Sequence, residues 1–401
     1  MPVAFSRLRG ELKRIAFVYR ANALLKGYFQ TLGAASSLSR YKRAAERLGI
    51  QCLDDAALSV ALRKQLKTRA ARRWPCSPDK LHIFLAYAGS NWESILPTTL
   101  APFGRVSAFD WRQSGFDDTA ADWLDRRDLM NATMLGAFIS ANQKHPVDVV
   151  VGYLSGHNTS PQTLKTMAAS GAAVYNFCWD DKLRFPGKRL GGRYTSTAAL
   201  ASAVDLNLTN SPESIVKYAV HGGLAMFWPE AAHPGYHRPY DLQFDYDVSF
   251  AGACYGWRPT FIEKLRRRGV QVECFGGGWP NGPLSGEDMI RLYSRSRVNL
   301  GFGGVGYCSK LMCLKGRDFE VPMSGGLYLT QSNPELLLVY DVGREVLAYE
   351  DDADCARTIL GLLADPERAA LIRHAGRERA LREHSYWERW MRVFRLSGIL
   401  E

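Results

Sequence analysis

Lys315, Arg317 and Glu320 sit together on one short stretch, KGRDFEVPMSGGLYLT, running from Lys315 to Thr330. It reads as a basic loop, a helix of one or two turns carrying Glu320, a Gly325-Gly326 break and an apolar strand from Leu327. A helix starting just after Lys315 turns free backbone N–H groups and the positive end of its dipole toward any neighbouring anion. An ionised carboxylate only accepts hydrogen bonds, so Glu320, further along the helix, suits a pair of hydroxyls such as those of a ribose. Two readings stand for the stretch alone: a phosphate and ribose site, or a surface helix braced by salt bridges.

Other glycine-rich turns carry compatible chemistry. Gly252 to Gly256, followed by Trp257 and Arg258, lets backbone amides approach a diphosphate that Arg258 would pair with. Gly276, Gly277, Gly278 and Trp279 form a second close-approach loop. Gly301 to Gly306 with Lys310 forms a third. In the first half of the chain, His157 follows VDVVVGYLSG, and Asp180 and Asp181 follow the apolar run AAVYNFCW. Adjacent carboxylates repel unless a cation or hydroxyl lies between them, as an acceptor alcohol or Arg184 would. That suits acceptor binding or general-base duty for Asp180 or Asp181. His157 is a second candidate base, or a loop histidine with its hydrogen bonds satisfied.

The elements that must position these residues are short apolar strands alternating with longer amphipathic helices. LHIFLAY (Leu81 to Tyr87), RVSAFDW (Arg105 to Trp111), VDVVVGYL (Val147 to Leu154), AAVYNFCW (Ala172 to Trp179) and VDLNLTN (Val204 to Asn210) form one series. YDVSFAG (Tyr246 to Gly252), VQVECFGG (Val270 to Gly277), SRVNLGF (Ser296 to Phe302), GLYLT (Gly326 to Thr330) and EVLAYE (Glu345 to Glu350) form another. Such alternation implies βαβ units and parallel sheets covered on both faces. The expected fold is therefore α/β with two doubly wound, Rossmann-like domains. The stretch from Trp228 to Tyr246, rich in proline, histidine and tyrosine, is the expected linker.

From Tyr246 to Trp390 the chain resembles the nucleotide-sugar-binding half of family 4 type glycosyltransferases, most of all their CgeB-like (spore-maturation) branch. YDVSFAGACYGWR, PLSGEDMIRLYSRSRVNLGF, KGRDFEVPMSGGLYLT, GREVLAYEDDAD and DPERAALIRHAGRERALREHSYWERW carry the likeness, in that order. The resemblance implies a GT-B fold with two Rossmann-like domains facing a central cleft and the ligand at the carboxyl ends of the strands. It implies donor contacts from Glu320, Arg317, Lys315, Lys310, Arg258, Gly252, Gly276, Gly277, Trp279 and Gly325. The family carries two glutamates eight positions apart. Met312 stands where the first belongs, so that residue's role toward the donor sugar does not transfer.

Composition bounds the rest. The 401 residues, 46% apolar and 23% charged, suffice for two globular domains. Eight cysteines with no CxxC pair suggest neither a zinc ribbon nor a disulfide framework, and no metal ligand set is expected. No apolar run is long enough to cross a bilayer, and no secretory leader is recognisable, so a cytoplasmic protein is expected. The net charge of +11 is concentrated at one end: residues 1–80 hold 17 Lys and Arg against 5 Asp and Glu, leaving 34 against 35 elsewhere. Leu8, Leu12, Ile15 and Tyr19 at helical spacing among Arg7, Arg9, Lys13 and Arg14 describe a basic amphipathic helix. It would either pack on its domain or lie on an anionic membrane surface. No base-reading motif is present, so nucleic acid is not an expected partner.

The expected organisation is a basic, mainly helical region (1–79), an acceptor domain (80–240), a nucleotide-sugar donor domain (241–375), and a C-terminal helix (376–401) crossing back to the first domain. Trp387, Trp390 and Phe394 on that helix read as packing residues. The expected activity is transfer of a hexose from a UDP- or GDP-linked donor to a hydroxyl of a glycan, lipid or protein. Retention of anomeric configuration follows from the resemblance alone, and no cofactor or metal is called for. A sugar-nucleotide epimerase on the same fold, or a non-catalytic nucleotide- or glycan-binding protein, are the alternatives.

Overall fold

The computed structural model of the chain describes residues 16–69, 74–89, 92–190 and 192–401. The basic positions Arg7 to Arg14 with Leu8, Leu12 and Ile15 lie outside them. The chain divides into two compact units. The first comprises Ser37–Pro229 and Tyr386–Glu401. The second comprises Glu230–Ser385 and the residues up to Ser36.

Helix α1 (Ala16–Leu48) contains the division between Ser36 and Ser37. Its Gly27 admits the backbone of Tyr307, since an added Cβ would lie 2.4 Å from that carbonyl oxygen. Gln30 accepts the Tyr307 N–H, so this helix backs the glycine-rich loop of the second unit. Helix α2 (Asp55–Lys67) is capped by Asp54 and buries Leu58, Leu62 and Leu66, four residues apart along one face. Beyond it, Arg69 forms a bidentate pair with Asp205, which also accepts the Val174 N–H. Within the region 1–79, residues 16–36 pack with the second unit and Ser37 to Arg69 with the first.

The first unit holds β1 (Leu81–Tyr87), α3 (Leu96–Leu100), β2 (Gly104–Asp110), α4 (Trp123–Lys144), β3 (Val149–Gly152), α5 (Pro161–Ala169) and β4 (Ala173–Cys178). These are followed by α6 (Asp181–Arg184), the hairpin β5 (Arg189–Leu190) and β6 (Arg193–Tyr194), β7 (Leu206–Thr209), α7 (Ile215–Val220) and β8 (Ala225–Phe227). Six strands pair in parallel in the order β2-β1-β3-β4-β7-β8. Every residue of β1, β3, β4 and β7 is buried, because helices cover both faces of the sheet. The core joins Phe84, Val150 and Val174 to Met130, Met134 and Phe138 of α4.

The second unit holds β9 (Tyr246–Ala251), α8 (Arg258–Arg267), β10 (Glu273–Phe275), α9 (Gly286–Arg295), β11 (Ser296–Leu300) and α10 (Gly316–Met323). It continues with β12 (Tyr328–Gln331), β13 (Leu347–Tyr349), α11 (Asp352–Ala364) and α12 (Pro366–Glu383). Its sheet is parallel, in the order β10-β9-β11-β12-β13. Val248, Phe250, Val298, Leu300 and Leu329 meet Ile262, Leu265 and Ile359 in its core. The last helix, α13 (Tyr386–Ser397), belongs to the first unit, where Trp387 stacks on Phe103 at 4.4 Å and Trp390 packs on Trp228 at 4.6 Å.

Trp228, expected in a linker, is fully buried in the first unit, and the division falls directly after Pro229. The residues that follow, with buried His237 among them, pack into the second unit. Strand order reverses between β1 and β3 in one unit and between β9 and β11 in the other. Open parallel sheets bind ligands outside the carboxyl ends of their strands at such points.

Candidate functional site

In the second unit the reversal is flanked by the loops after β9 and after β11. The β9 loop is laced to the loop after β10. Gly252 N donates to Phe275 O, Cys254 N donates to Gly277 O, and the Trp279 indole donates to Gly252 O at 2.8 Å. Gly276 has φ +130°, and a Cβ there would lie 2.4 Å from Gly252 O. Gly252, Gly276 and Trp279 therefore fasten two loops together. Gly277 faces open space. Arg258 is buried at the start of α8, bonded to Ala253 O and stacked 4.3 Å from the Tyr255 ring centroid. Burial lowers its pKa to about 10, which leaves it charged at neutral pH while it props the turn.

The loop after β11 leads to α10. Asp318, buried, accepts the Lys315 N–H and the Tyr328 hydroxyl, each at 2.7 Å, so it ties the first turn of α10 to the sheet. Burial raises its pKa. Lys315 Nζ lies 2.9 Å from the buried Cys313 Sγ, and burial pushes that thiol up to about 11. Arg317 lies over Phe250 at 5.8 Å with Tyr328 and Tyr293 beside it, half-buried, and its shielded Nε makes no hydrogen bond. Gly325, at φ +74°, ends α10, its N–H donating to Pro322 O. It terminates the helix at the end remote from Lys315.

Glu320 remains partly accessible. Tyr293 hydroxyl meets its Oε2 at 3.4 Å and His237 Nε2 its Oε1 at 3.9 Å. His237 Nδ1 accepts the His233 N–H, so in the neutral ring the proton sits on Nε2, toward Glu320. Burial lowers the His237 pKa and favours that neutral form. A second carboxylate joins it. A Cβ added at Gly316 would lie 2.7 Å from Glu320 Oε1 and 2.8 Å from Glu230 Oε2, so both acids converge on the first residue of α10. Burial raises the Glu230 pKa to about 8, with Lys315 opposing the shift and Glu320 and Asp318 adding to it. Glu230 and His237 were missed because their stretch has no periodic pattern. A lone acid in WPEAA was the signal available.

In the same unit a cavity of about 850 Å³ is lined by Gly256, Trp257, exposed Lys310, Met312, Gln331 and Glu350, among others. Its size suits a small-molecule ligand. Glu320 is not among its lining residues.

In the first unit, Asp180 is exposed at the N-cap of α6. Asp181, the next residue, is fully buried. It accepts the Tyr218 hydroxyl at 2.7 Å, and buried Lys217 donates to its backbone carbonyl at 3.0 Å. Burial raises the Asp181 pKa and lowers that of Lys217. Of the two candidate acids, Asp181 thus turns inward and braces α6 against α7. His157 lies in the loop after β3, where the strand order reverses, and its Nε2 donates to Asp118 O at 2.9 Å.

Residues 258–395, roughly a third of the chain, match the glycosyl transferase-like family model. No curated protein sequence matches the chain. Among solved structures, the sucrose-phosphate synthase of Thermosynechococcus elongatus is similar at TM-score 0.55 and 13% identity, over 79% of this chain and 98% of that one. HepE of Anabaena, solved with UDP and glucose, is similar at TM-score 0.54 and 11% identity over the same shares. A glycosyltransferase of Rickettsia africae is similar at TM-score 0.52 and 9% identity, again over 79% and 98%. These likenesses establish the GT-B fold.

Proposed function

We propose that the protein is a glycosyltransferase that moves a sugar from a nucleotide-diphospho-sugar to an acceptor hydroxyl. The observation that carries this is the matched segment 258–395, which contains α10 with Glu320 at the loop edge of the second sheet. Glu320 holds the ribose hydroxyls. Lys310, Lys315 and the first amides of α10 meet the diphosphate as its negative charge develops on leaving. Gly277 lies beside the base. Asp180, on the first unit, serves the acceptor as general base or binding group, with His157 next to it in rank. A UDP- or GDP-linked hexose, a glycan, lipid or protein acceptor, and a retaining outcome complete the proposal.

Met312 in place of the family's first glutamate favours a second reading, a non-catalytic nucleotide-sugar-binding protein. Incubation with UDP- and GDP-linked sugars and candidate acceptors, followed by assay of free nucleotide diphosphate, separates the two. Transfer releases the diphosphate. Binding without release supports the second reading, and a changed sugar without acceptor marks an epimerase.

Peripheral membrane attachment belongs to the same proposal. Among the described residues no helix is long and apolar enough to cross a membrane. Helix α1 nevertheless exposes Leu24, Leu25, Tyr28, Phe29 and Leu32 with Lys26 among them and Arg40, Lys42, Arg43 and Arg47 further along the helix. Such a strip suits the surface of an anionic bilayer. Co-sedimentation with phosphatidylserine vesicles that weakens with salt supports attachment, and absence of binding removes it.

A further inference from the structure

The loop after β3 is held between α4 and the β5–β6 hairpin. From α4, Asn131 donates to Asn158 O at 2.9 Å and accepts the Ser160 N–H at 2.8 Å, and the Trp123 indole donates to His157 O at 3.0 Å. From the hairpin side, Thr195 O accepts the His157 N–H and Ser196 O accepts the Gly156 N–H. A Cβ at Gly156 would lie 2.1 Å from Tyr194 O, so the hairpin rests directly on this loop. Each flank carries one arginine: Arg127 on α4, one turn before Asn131, and Arg193 at the start of β6.

Neither guanidinium is fully satisfied. Arg127 Nε, Arg193 Nε and Arg193 Nη2 are shielded from water and make no hydrogen bond. The Asp128 carboxylate lies 3.9 Å from Arg127 Nε, beyond hydrogen-bonding range. Buried N–H donors are nearly always paired by hydrogen bonds, which the Asp128 charge at this distance does not supply. Burial lowers the Arg193 pKa, the Arg127 charge lowers it further, and the Asp128 carboxylate opposes the shift. An arginine fork is matched to the oxygens of a carboxylate or phosphate.

We propose that Arg127 and Arg193 form an oxyanion site beside the β1/β3 strand-order reversal, and that the acceptor is a sugar bearing a phosphate or carboxylate. The identity of this ligand as the acceptor rests on the transferase reading. The site would orient the sugar by its charged group beside the His157 loop.

The test is titration calorimetry of the full chain with glucose 6-phosphate, glucuronate, inorganic phosphate and glucose, without donor. At least one sugar anion should bind while glucose does not, and the stronger of the two identifies the anion. Arg193→Met and Arg127→Met should each weaken that binding about 10-fold or more, the worth of hydrogen bonds to a charged group. Arg193→Lys should restore part of it, and UDP affinity should stay at the parent value. Arg193→Met should melt no lower than the parent, since it removes an unpaired buried donor. Glucose binding as well as the anions, anion affinity unmoved by both Met variants, or a clear fall in melting temperature would overturn the site. Since no turnover is measured, failed sugar transfer leaves these results standing, and failed anion binding leaves the transfer reading standing.

Discussion

The two units present carboxylates at the loop edges of parallel sheets, and the fate of those carboxylates differs. In the first unit, Asp181 turns inward and is consumed by Tyr218 and the Lys217 region, while Asp180 stays exposed. In the second, Asp318 is consumed by Tyr328 and the Lys315 amide, while Glu320, only two residues on, stays partly open beside Glu230 and a neutral His237. Successive helical residues are rotated by about 100°, so neighbouring acids on one helix turn meet different surroundings. Each unit therefore uses one acid to brace the start of its helix and leaves another accessible. Burial and hydrogen-bond partners distinguish them where residue type does not.

The largest effect that would break this contrast belongs to Asp180. Asp180→Asn keeps size and polarity and removes charge. If Asp180 is the general base, transfer should fall about 10²- to 10⁴-fold with nucleotide affinity unchanged. A parent rate would pass the role to His157. Asp181→Ala should do the opposite. Leaving the Tyr218 hydroxyl without its acceptor costs about 1–3 kcal/mol, read as a lower denaturant midpoint, while the folded fraction keeps its nucleotide affinity.

A smaller effect separates Glu230 from Glu320. The folded Glu230 pKa of about 8 lies above its ordinary 4.5, so between those values the folded state holds the extra proton. Stability from that proton is complete below pH 4.5 and is lost as pH rises through 8. Glu230→Gln should flatten that part of the stability curve, measured by urea unfolding from pH 5 to pH 9. An unchanged slope in the variant would remove Glu230 from the cluster.

The apolar runs made the sheets legible. LHIFLAY and YDVSFAG are buried strands because both sheet faces are covered, and their spacing fixed the two doubly wound halves. Strand β8 and the β5–β6 hairpin span too few residues for periodicity to register. The glycine loops were legible as close approaches, yet only the structure separates glycines that fasten loop to loop, such as Gly276, from those left open, such as Gly277. Adjacent Asp180 and Asp181 look alike in sequence, and the rotation between N-cap and first helical residue decides which is buried. Glu230 and His237 were read as linker because their partners are some 80 residues away in sequence, beyond any local pattern.

The central claim is that Glu320 on α10 holds the nucleotide's ribose. Titration of UDP and GDP into the parent and Glu320→Ala, with circular dichroism to confirm the fold, tests it most directly. Loss of charge-assisted hydrogen bonds to the ribose predicts about 10- to 100-fold weaker binding of the preferred nucleotide. Equal affinity in a folded Glu320→Ala protein would contradict the account.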